Sequence, residues 1–118
     1  MGSNKSLKRG DIWLVNLDPT IGHEIKKSRL AVIIQNDTGN KYSPITIIAP
    51  ITSQGTKDRY PFEVLINRNN STIKKESKVL LNQIRAIDKQ RLIRKYATLT
   101  KKAIFQVDEA IKISLGLE

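Results

Sequence analysis

The side chains that could take part in catalysis are few in this chain of 118 residues. It contains one histidine, His23, and no cysteine, which excludes thiolate metal sites, cysteine nucleophiles and clusters of histidine ligands. It also contains no glycine-rich phosphate loop, nucleophile elbow or serine–histidine–aspartate order. The candidate polar residues lie at strand ends and in one loop: His23, Glu24, Arg29 and Thr52. Taken alone, His23 indicates an exposed loop residue and Thr52 a strand-end hydroxyl.

Arg29 stands at the start of an apolar run, residues 30–35, so its guanidinium needs a partner. The residues alone favour an ion pair that ties down the preceding loop, with Asp18, Glu24 or Asp37 as the partner. The alternative is a phosphate clamp, because a guanidinium donates two parallel hydrogen bonds to phosphate oxygens. The sequence pattern leaves both interpretations open.

The chain is strongly basic. Lys and Arg total 21 against 11 Asp and Glu, which gives a net charge of +10 and a pI near 10.0. The excess is densest in residues 85–102, where seven basic residues stand against Asp88. Such a charge attracts nucleic acid, an acidic protein or an anionic membrane surface, or it forms a solvated face. The absence of a basic helix with a strongly apolar face argues against the membrane surface.

The composition is that of an ordinary globular domain. Hydrophobic residues make up 39% of the chain, enough to build a core, which excludes a disordered protein. No apolar run approaches the ~20 residues that span a membrane, and the N-terminus shows no apolar signal segment. We therefore expect a flexible segment at residues 1–7, then a single soluble domain at residues 8–118, located in the cytoplasm.

Hydrophobic periodicity predicts five β-strands, at residues 11–17, 30–35, 45–52, 62–66 and 79–87. Pro50 predicts a sheet edge or a bulge near the end of the third strand, because proline has no amide donor. Residues 36–40 have turn chemistry, and Asp88 can cap a short helical turn that ends at Arg91.

The last segment has a helical period. After Thr100, apolar residues recur at helical spacing, at Ile104, Val107, Ile111 and Leu115, and Gly116 can end the helix. Short strands separated by turns and followed by one amphipathic helix predict a mainly β chain with helices. The expected architecture is a small antiparallel β-barrel with the helices on its outside.

Three stretches of the chain together resemble the MazF/PemK family of toxin endoribonucleases, most closely the EndoA-like MazF toxins of Gram-positive bacteria. They read KRGDIWLVNLDPTIGHEIKKSRLAVIIQND, SPITIIAPITSQ and LLNQIRAIDKQRL. The resemblance covers residues 8–115. It implies an SH3-like barrel of the kind shared with the gyrase-poison toxins, a homodimer, and a cognate acidic antitoxin similar to MazE. It also implies a bacterial mRNA interferase that cleaves single-stranded RNA at specific sequences without a metal or other cofactor.

The resemblance assigns roles to particular residues. Arg29 matches the family's catalytic arginine and Thr52 its catalytic threonine. His23 and Glu24 fall in a loop near RNA, where they are candidates for proton transfer or loop contacts. The residues expected to bind RNA are Gly22, Asn36, Gln83 and Arg85. Two interpretations compete with the ribonuclease: a gyrase-poison-like toxin without enzymatic activity, and a nucleic-acid-binding barrel of the same fold.

Two features bear on how RNA would be held. The family often has proline directly after the catalytic arginine, whereas this chain has Leu30, which restores an amide donor and a freer backbone. Only 5% of the residues are aromatic. We therefore expect the RNA groove to read bases through polar side chains and main chain rather than by stacking.

Overall fold

The computed structural model describes residues 6–18, 22–23 and 28–117. Within these ranges the chain forms antiparallel strands, two α-helices and a short 3-10 turn, Lys89–Arg91. The strands are β1 (Asp11–Asn16), β2 (Ser28–Ile33), β3 (Ile45–Thr52), β4 (Glu63–Ile66), β5 (Ser77–Leu80), β6 (Arg85–Asp88) and β7 (Leu92–Thr98). The helices are α1 (Asp37–Tyr42) and α2 (Lys101–Leu115). The sheet order is β4–β5–β3–β2–β1–β7, with β6 beside β3.

The single strand predicted at residues 79–87 is wrong, because the structure has two strands there. The amide of Gln83 donates to the carbonyl of Leu80 at 3.2 Å, so a turn separates β5 from β6. The two strands then share one edge of β3: β6 pairs with residues 45–48 and β5 with residues 51–52. The turn contains the apolar residues Leu81 and Ile84, so the hydrophobic periodicity did not reveal the turn.

Pro50 does not mark an edge strand. β3 is central in the sheet, with β2 on one edge and β5 and β6 on the other, and Pro50 lies opposite Ala31 of β2. It falls between the stretches of β3 that pair with β6 and β5. Proline is tolerated there because neither β5 nor β6 pairs with this residue, so its missing amide donor costs no hydrogen bond with them.

The sequence pattern missed β7, which lies inside the basic stretch. Four successive residues of this strand, Ile93 to Tyr96, are exposed and three of its side chains are aromatic or charged, so no alternation is visible. β7 pairs with β1 at the edge of the sheet, with register shifts at two places. Its exposed face is therefore irregular as well as basic.

The sheet curves into a barrel-like form without a continuous closing ladder. The segment between β4 and β5 bridges the gap to the end of β7. The Thr72 amide donates to the Thr98 carbonyl at 3.2 Å, and the Thr100 amide donates to the Asn70 carbonyl at 2.9 Å. The expected fold, mainly antiparallel β with a C-terminal helix, is confirmed.

Both faces of the sheet are buried, which explains why strands such as β1 are apolar on both faces. One cluster lies between the sheet and α2 and includes Ile12, Val32, Ile51 and Val107. The other lies on the opposite face and includes Leu7, Trp13, Val15, Ala31, Ile33 and Ile48. Leu7, the last residue of the segment expected to be flexible, is buried, and residues 1–5 lie outside the described residues.

Both ends of α2 are capped, and the end at Gly116 is as predicted. The Thr100 hydroxyl accepts from the Ala103 amide at 3.2 Å, and Gly116 has a left-handed φ of 72° that ends the helix. Asp88 caps the 3-10 turn by accepting from the Gln90 amide at 2.8 Å, also as predicted. In the described part of the chain, no helix is long and apolar enough to cross a membrane.

Candidate active site

Arg29 and Thr52 meet at one end of β2 and β3. The register of these strands pairs Ala31 with Pro50, and continuing it by two residues sets Arg29 opposite Thr52. Thr52 is in turn paired with Lys78 of β5. Because directly opposed residues of antiparallel strands share a face, the three side chains form a row across three strands. This row lies on the same face as the cluster that contains Ala31.

The Thr52 hydroxyl is oriented by the main chain. It is 9% exposed, and its oxygen accepts from the Gln54 amide at 3.1 Å. A hydroxyl has one hydrogen and two lone pairs, so a hydroxyl that accepts from an amide can still donate to a ligand. Arg29 is half-buried beside it and lines a cavity at this end of the sheet. The arrangement offers two kinds of donor to an anion.

A buried ion pair supports the loop that follows Thr52. The Lys78 ammonium lies 2.8 Å from a Glu63 carboxylate oxygen, with side chains 11% and 6% exposed. The same ammonium donates to the Asp58 carbonyl at 3.2 Å, and the Glu63 carboxylate accepts from the Tyr60 amide at 3.1 Å. These bonds hold the loop of residues 53–61 to β4 and β5, and β5 is the strand that pairs with Thr52. Sequence reasoning missed this pair, since its partners come from different strands.

Arg85 lies on the same face as the row. Arg85 is paired with Ile48, which shares its face with Thr52 by alternation along β3. One Arg85 nitrogen donates to the Leu17 carbonyl at 3.2 Å. Gln83 is half-buried in the turn just before β6. Of the two predicted RNA-binding residues, the structure therefore brings Arg85 to the face of the sheet that carries Arg29.

A second arginine holds the same end of β1. Arg91 donates to the Asn16 carbonyl at 3.1 Å and also to the Asp18 carbonyl. Together with the bond from Arg85 to Leu17, two guanidiniums bind three consecutive main-chain carbonyls where the loop toward β2 begins. The sequence did not indicate this role of Arg91. Every residue type carries a main-chain carbonyl, so no residue pattern marks these acceptors.

The loop residues predicted from the resemblance are only partly described. Gly22 and His23 are exposed, and Gly22 has a φ of 60°. Glu24 lies outside the described residues. Asp37, one of the three ion-pair partners considered for Arg29, is at the far end of β2. Its carboxylate accepts from the Arg9 amide at 2.7 Å, so it does not serve Arg29.

Asn36 is not brought together with Arg29. It lies seven residues beyond Arg29, about 23 Å along an extended chain. Its side chain accepts from the Gly39 amide at 2.8 Å and so caps α1. Among the residues that the structure describes, no group of three histidine or carboxylate side chains could hold a metal ion.

Comparison with known families decides the classification. Residues 8–115 match a family model described as PemK-like, MazF-like toxin of type II toxin–antitoxin system. The chain belongs to the PemK/MazF toxin family. An endoribonuclease MazF of Staphylococcus saprophyticus is 47% identical over 111 residues, which cover 94% of this chain and 92% of the relative. This level of identity confirms the predicted enzyme class, an endoribonuclease.

Solved PemK/MazF structures share the fold. MazF from Deinococcus radiodurans matches with a TM-score of 0.82 at 23% identity, over 97% of this chain and all of that one. An endoribonuclease from a mycobacterial species, solved in complex with its cognate antitoxin, matches with a TM-score of 0.79 at 16% identity. That match covers 96% of this chain and 98% of the mycobacterial chain. The roles of individual site residues in this family member stay predictions.

Proposed function

We propose that this PemK/MazF family member cleaves single-stranded mRNA at specific sequences, without a metal or cofactor, as the toxin of a type II toxin–antitoxin system. The observation that supports this most strongly is the strand register that sets Arg29 opposite Thr52. A guanidinium and an oriented hydroxyl on one face provide the donors that a phosphate in reaction requires. The basic net charge of +10 adds an attraction for the RNA backbone.

The proposed reaction uses the nucleophile that RNA carries. The ribose 2′-oxygen forms a bond to the adjacent phosphorus, and the bond from phosphorus to the 5′-oxygen breaks. The products are a 2′,3′-cyclic phosphate and a 5′-hydroxyl. Arg29 binds the non-bridging oxygens, on which negative charge develops, and Thr52 donates a hydrogen bond to one of them.

Proton transfer needs two further roles in this reaction. The 2′-hydroxyl loses a proton to a base, and the leaving 5′-oxygen gains one. An arginine keeps its proton at neutral pH and is therefore a poor proton acceptor. Histidine and glutamate side chains ordinarily offer an unprotonated acceptor at this pH, and His23 and Glu24 belong to the loop between β1 and β2. We therefore assign Arg29 and Thr52 to charge stabilisation and propose the loop pair as proton-transfer candidates.

The proposed protein partners follow from the basic net charge of the chain and from its membership of the PemK/MazF family. We propose a homodimer, which would carry a charge near +20, twice the chain's +10. We also propose a cognate acidic antitoxin that covers the RNA-binding face, since the basic surface attracts either polyanion. Sedimentation velocity of the isolated chain, alone and with an acidic MazE-like partner, tests both assemblies.

The test of the active site is cleavage of a short single-stranded RNA by purified Arg29→Ala and Thr52→Ala proteins. Each loss of a donor is expected to lower the rate by about 10²–10³-fold. Arg68→Ala and Thr38→Ala are matched controls, because both residues are exposed and lie outside the row. Wild-type rates from the two folded site variants would contradict the assignment. An RNA with a 2′-deoxy scissile nucleotide should resist cleavage.

The competing functions give different results in the same assay. A gyrase-poison-like toxin would leave RNA intact when no gyrase is present. A nucleic-acid-binding barrel would bind RNA with strong salt dependence and leave it uncut after long incubation. Sequencing the ends of fragments from a long RNA identifies the recognised motif if cleavage occurs.

A further inference from the structure

A cavity of about 330 Å³ opens beside Arg29, where β1, β2 and β3 meet the segment that leads into β5. Its floor is apolar and includes Leu30 and Ile51, and it is also lined by Arg29, Lys74 and Lys75. No carboxylate is among its described lining residues. The cavity opens on the face of the sheet that carries Leu30 and Ile51, opposite to the face of the row that contains Thr52. Its lining suits a ligand with a flat apolar part and a negative charge.

Tyr96 lines this cavity from a bulge in β7. Ile12 pairs with Ala97 but Trp13 pairs with Lys95, which leaves Tyr96 as an extra residue in the ladder with β1. Bulges re-aim a side chain and are common next to active sites. Tyr96 is 41% exposed, so its ring is not needed to fill the core.

A neighbouring cation orients the Tyr96 ring. The guanidinium carbon of Arg94 lies 5.6 Å from the ring centroid, within the range of a cation–π contact. Arg94 is itself exposed, so the pair adds positive charge at the rim rather than neutralising a buried acid. An aromatic ring held beside a guanidinium and two lysines is the combination that binds single-stranded nucleic acid.

We propose that this cavity binds an unpaired nucleobase next to the cleaved nucleotide, stacked on Tyr96, while Lys74 and Lys75 bind adjacent phosphates. The inference rests on the proposed function, because the ligand is the RNA of that reaction. Arg29 joins the two sites, since it lines the cavity and belongs to the row with Thr52. Binding energy from the seated base would hold the scissile phosphate against Arg29.

The electrostatics favour this cavity over a larger groove elsewhere on the molecule. That groove, about 450 Å³ between α2 and β4, is lined by Arg59 but also by Glu63 and Glu109. Carboxylates repel a phosphate backbone, whereas the charged residues among the described lining of the cavity beside Arg29 are all cations. A polyanion is therefore the better match to the cavity with Tyr96.

The test measures binding of a single-stranded RNA whose scissile nucleotide is 2′-deoxy, by fluorescence anisotropy. Tyr96→Leu is expected to weaken binding about 5- to 100-fold, because one base no longer stacks on an aromatic ring. Tyr96→Phe keeps the ring and should bind within about twofold of wild type. In an abasic scan, one position should weaken binding to wild type but not to Tyr96→Leu, which a purely structural role of Tyr96 would not produce.

The lysines are tested by the salt dependence of the same binding. Lys74→Ala/Lys75→Ala should reduce the slope of log K against log salt by about 0.7 for each phosphate that the variant no longer neutralises. Lys101→Ala/Lys102→Ala is the matched control, because it removes the same charge from an exposed helix start outside the cavity. An unchanged slope in the first variant contradicts the proposed binding of phosphates by these lysines.

Equal RNA binding by wild type and Tyr96→Leu, with no abasic position coupled to Tyr96, overturns the nucleobase site. A lower sedimentation coefficient for Tyr96→Leu also overturns it, and assigns the cavity to contact between copies of the chain. Both results leave RNA cleavage by wild type in place. Failure of the proposed function is distinguishable, because wild type would then bind or ignore RNA without cutting it.

Discussion

The β2–β3 pair carries polar side chains at both ends, and the two ends differ in where those side chains direct their hydrogen bonds. At the end next to α1, Asn40 is 3% exposed; its carbonyl oxygen accepts from Thr46 at 2.8 Å, and its amide donates to the Gln35 carbonyl at 2.9 Å. At the other end, Arg29 lines an open cavity and Thr52 accepts from a main-chain amide.

The difference separates structural polar groups from candidate functional ones. A buried network whose members bond one another stabilises the fold and has no capacity left for a ligand. At the other end, the Thr52 hydroxyl accepts from the Gln54 amide and can still donate its own hydrogen to a ligand. Residue type does not distinguish the two ends: Asn36, which the resemblance predicts to bind RNA, uses its side chain to cap α1.

The largest expected effect comes from one substitution made at both ends of β3. Thr52→Val keeps the shape but loses the hydroxyl, so cleavage should fall about 10²–10³-fold. Stability should change little, because the amide that loses its partner belongs to the exposed Gln54 and can bond to water. Thr46→Val removes a hydroxyl that donates to Asn40, and should cost about 1–3 kcal/mol of unfolding free energy with cleavage retained. Cleavage kinetics and urea denaturation of both proteins measure the contrast. A stability loss in Thr52→Val alone would reverse the comparison.

Asn40→Ala should give the next largest effect, on stability. The substitution removes the amide that serves Gln35 and the acceptor that serves Thr46, so the free energy of unfolding should fall by about 2–4 kcal/mol. Asn69→Ala is the control, because Asn69 is exposed on a turn. Denaturant unfolding gives both values. Equal stability of the two variants would show that the buried network contributes nothing.

Asn36→Ala should have a smaller effect. The side chain accepts from the Gly39 amide at 2.8 Å, and loss of an N-cap costs about 1 kcal/mol. Asn36→Asp keeps the cap and should retain wild-type stability. RNA binding of both variants should match wild type. Weakened RNA binding by Asn36→Ala at unchanged stability would instead support the assignment from the resemblance and blur the contrast between the ends.

Asp37 should give the smallest effect, visible only as a pH dependence. The Arg9 amide lowers the pKa of its carboxyl most, and the Asn40 side chain lowers it further, while burial opposes them. A lowered pKa stabilises the fold above the ordinary value, about 3.9, and this contribution is lost as pH falls through the folded-state pKa. The melting temperature of Asp37→Asn should lie slightly below wild type near pH 7. The gap should close below about pH 4; a constant gap would contradict the linkage.

Local patterns predicted much of this fold. β1 to β4 and α2 lie within a few residues of their predicted positions, because alternation and helical spacing record which side chains face the core. The predictions failed where the pattern was not local. The turn before β6 contains the apolar residues Leu81 and Ile84, and β7 pairs with β1 through an irregular register.

The sequence by itself determined the inventory of groups, the basic charge, the capped helix and the resemblance to PemK/MazF toxins. The tertiary structure alone decided which groups meet. It set Arg29 opposite Thr52, joined Lys78 to Glu63, and aimed Tyr96 into a cavity beside Arg29. The physical reason is that strand register and bulges depend on packing between segments far apart in the chain. A shift of one residue would move each of these side chains to the opposite face.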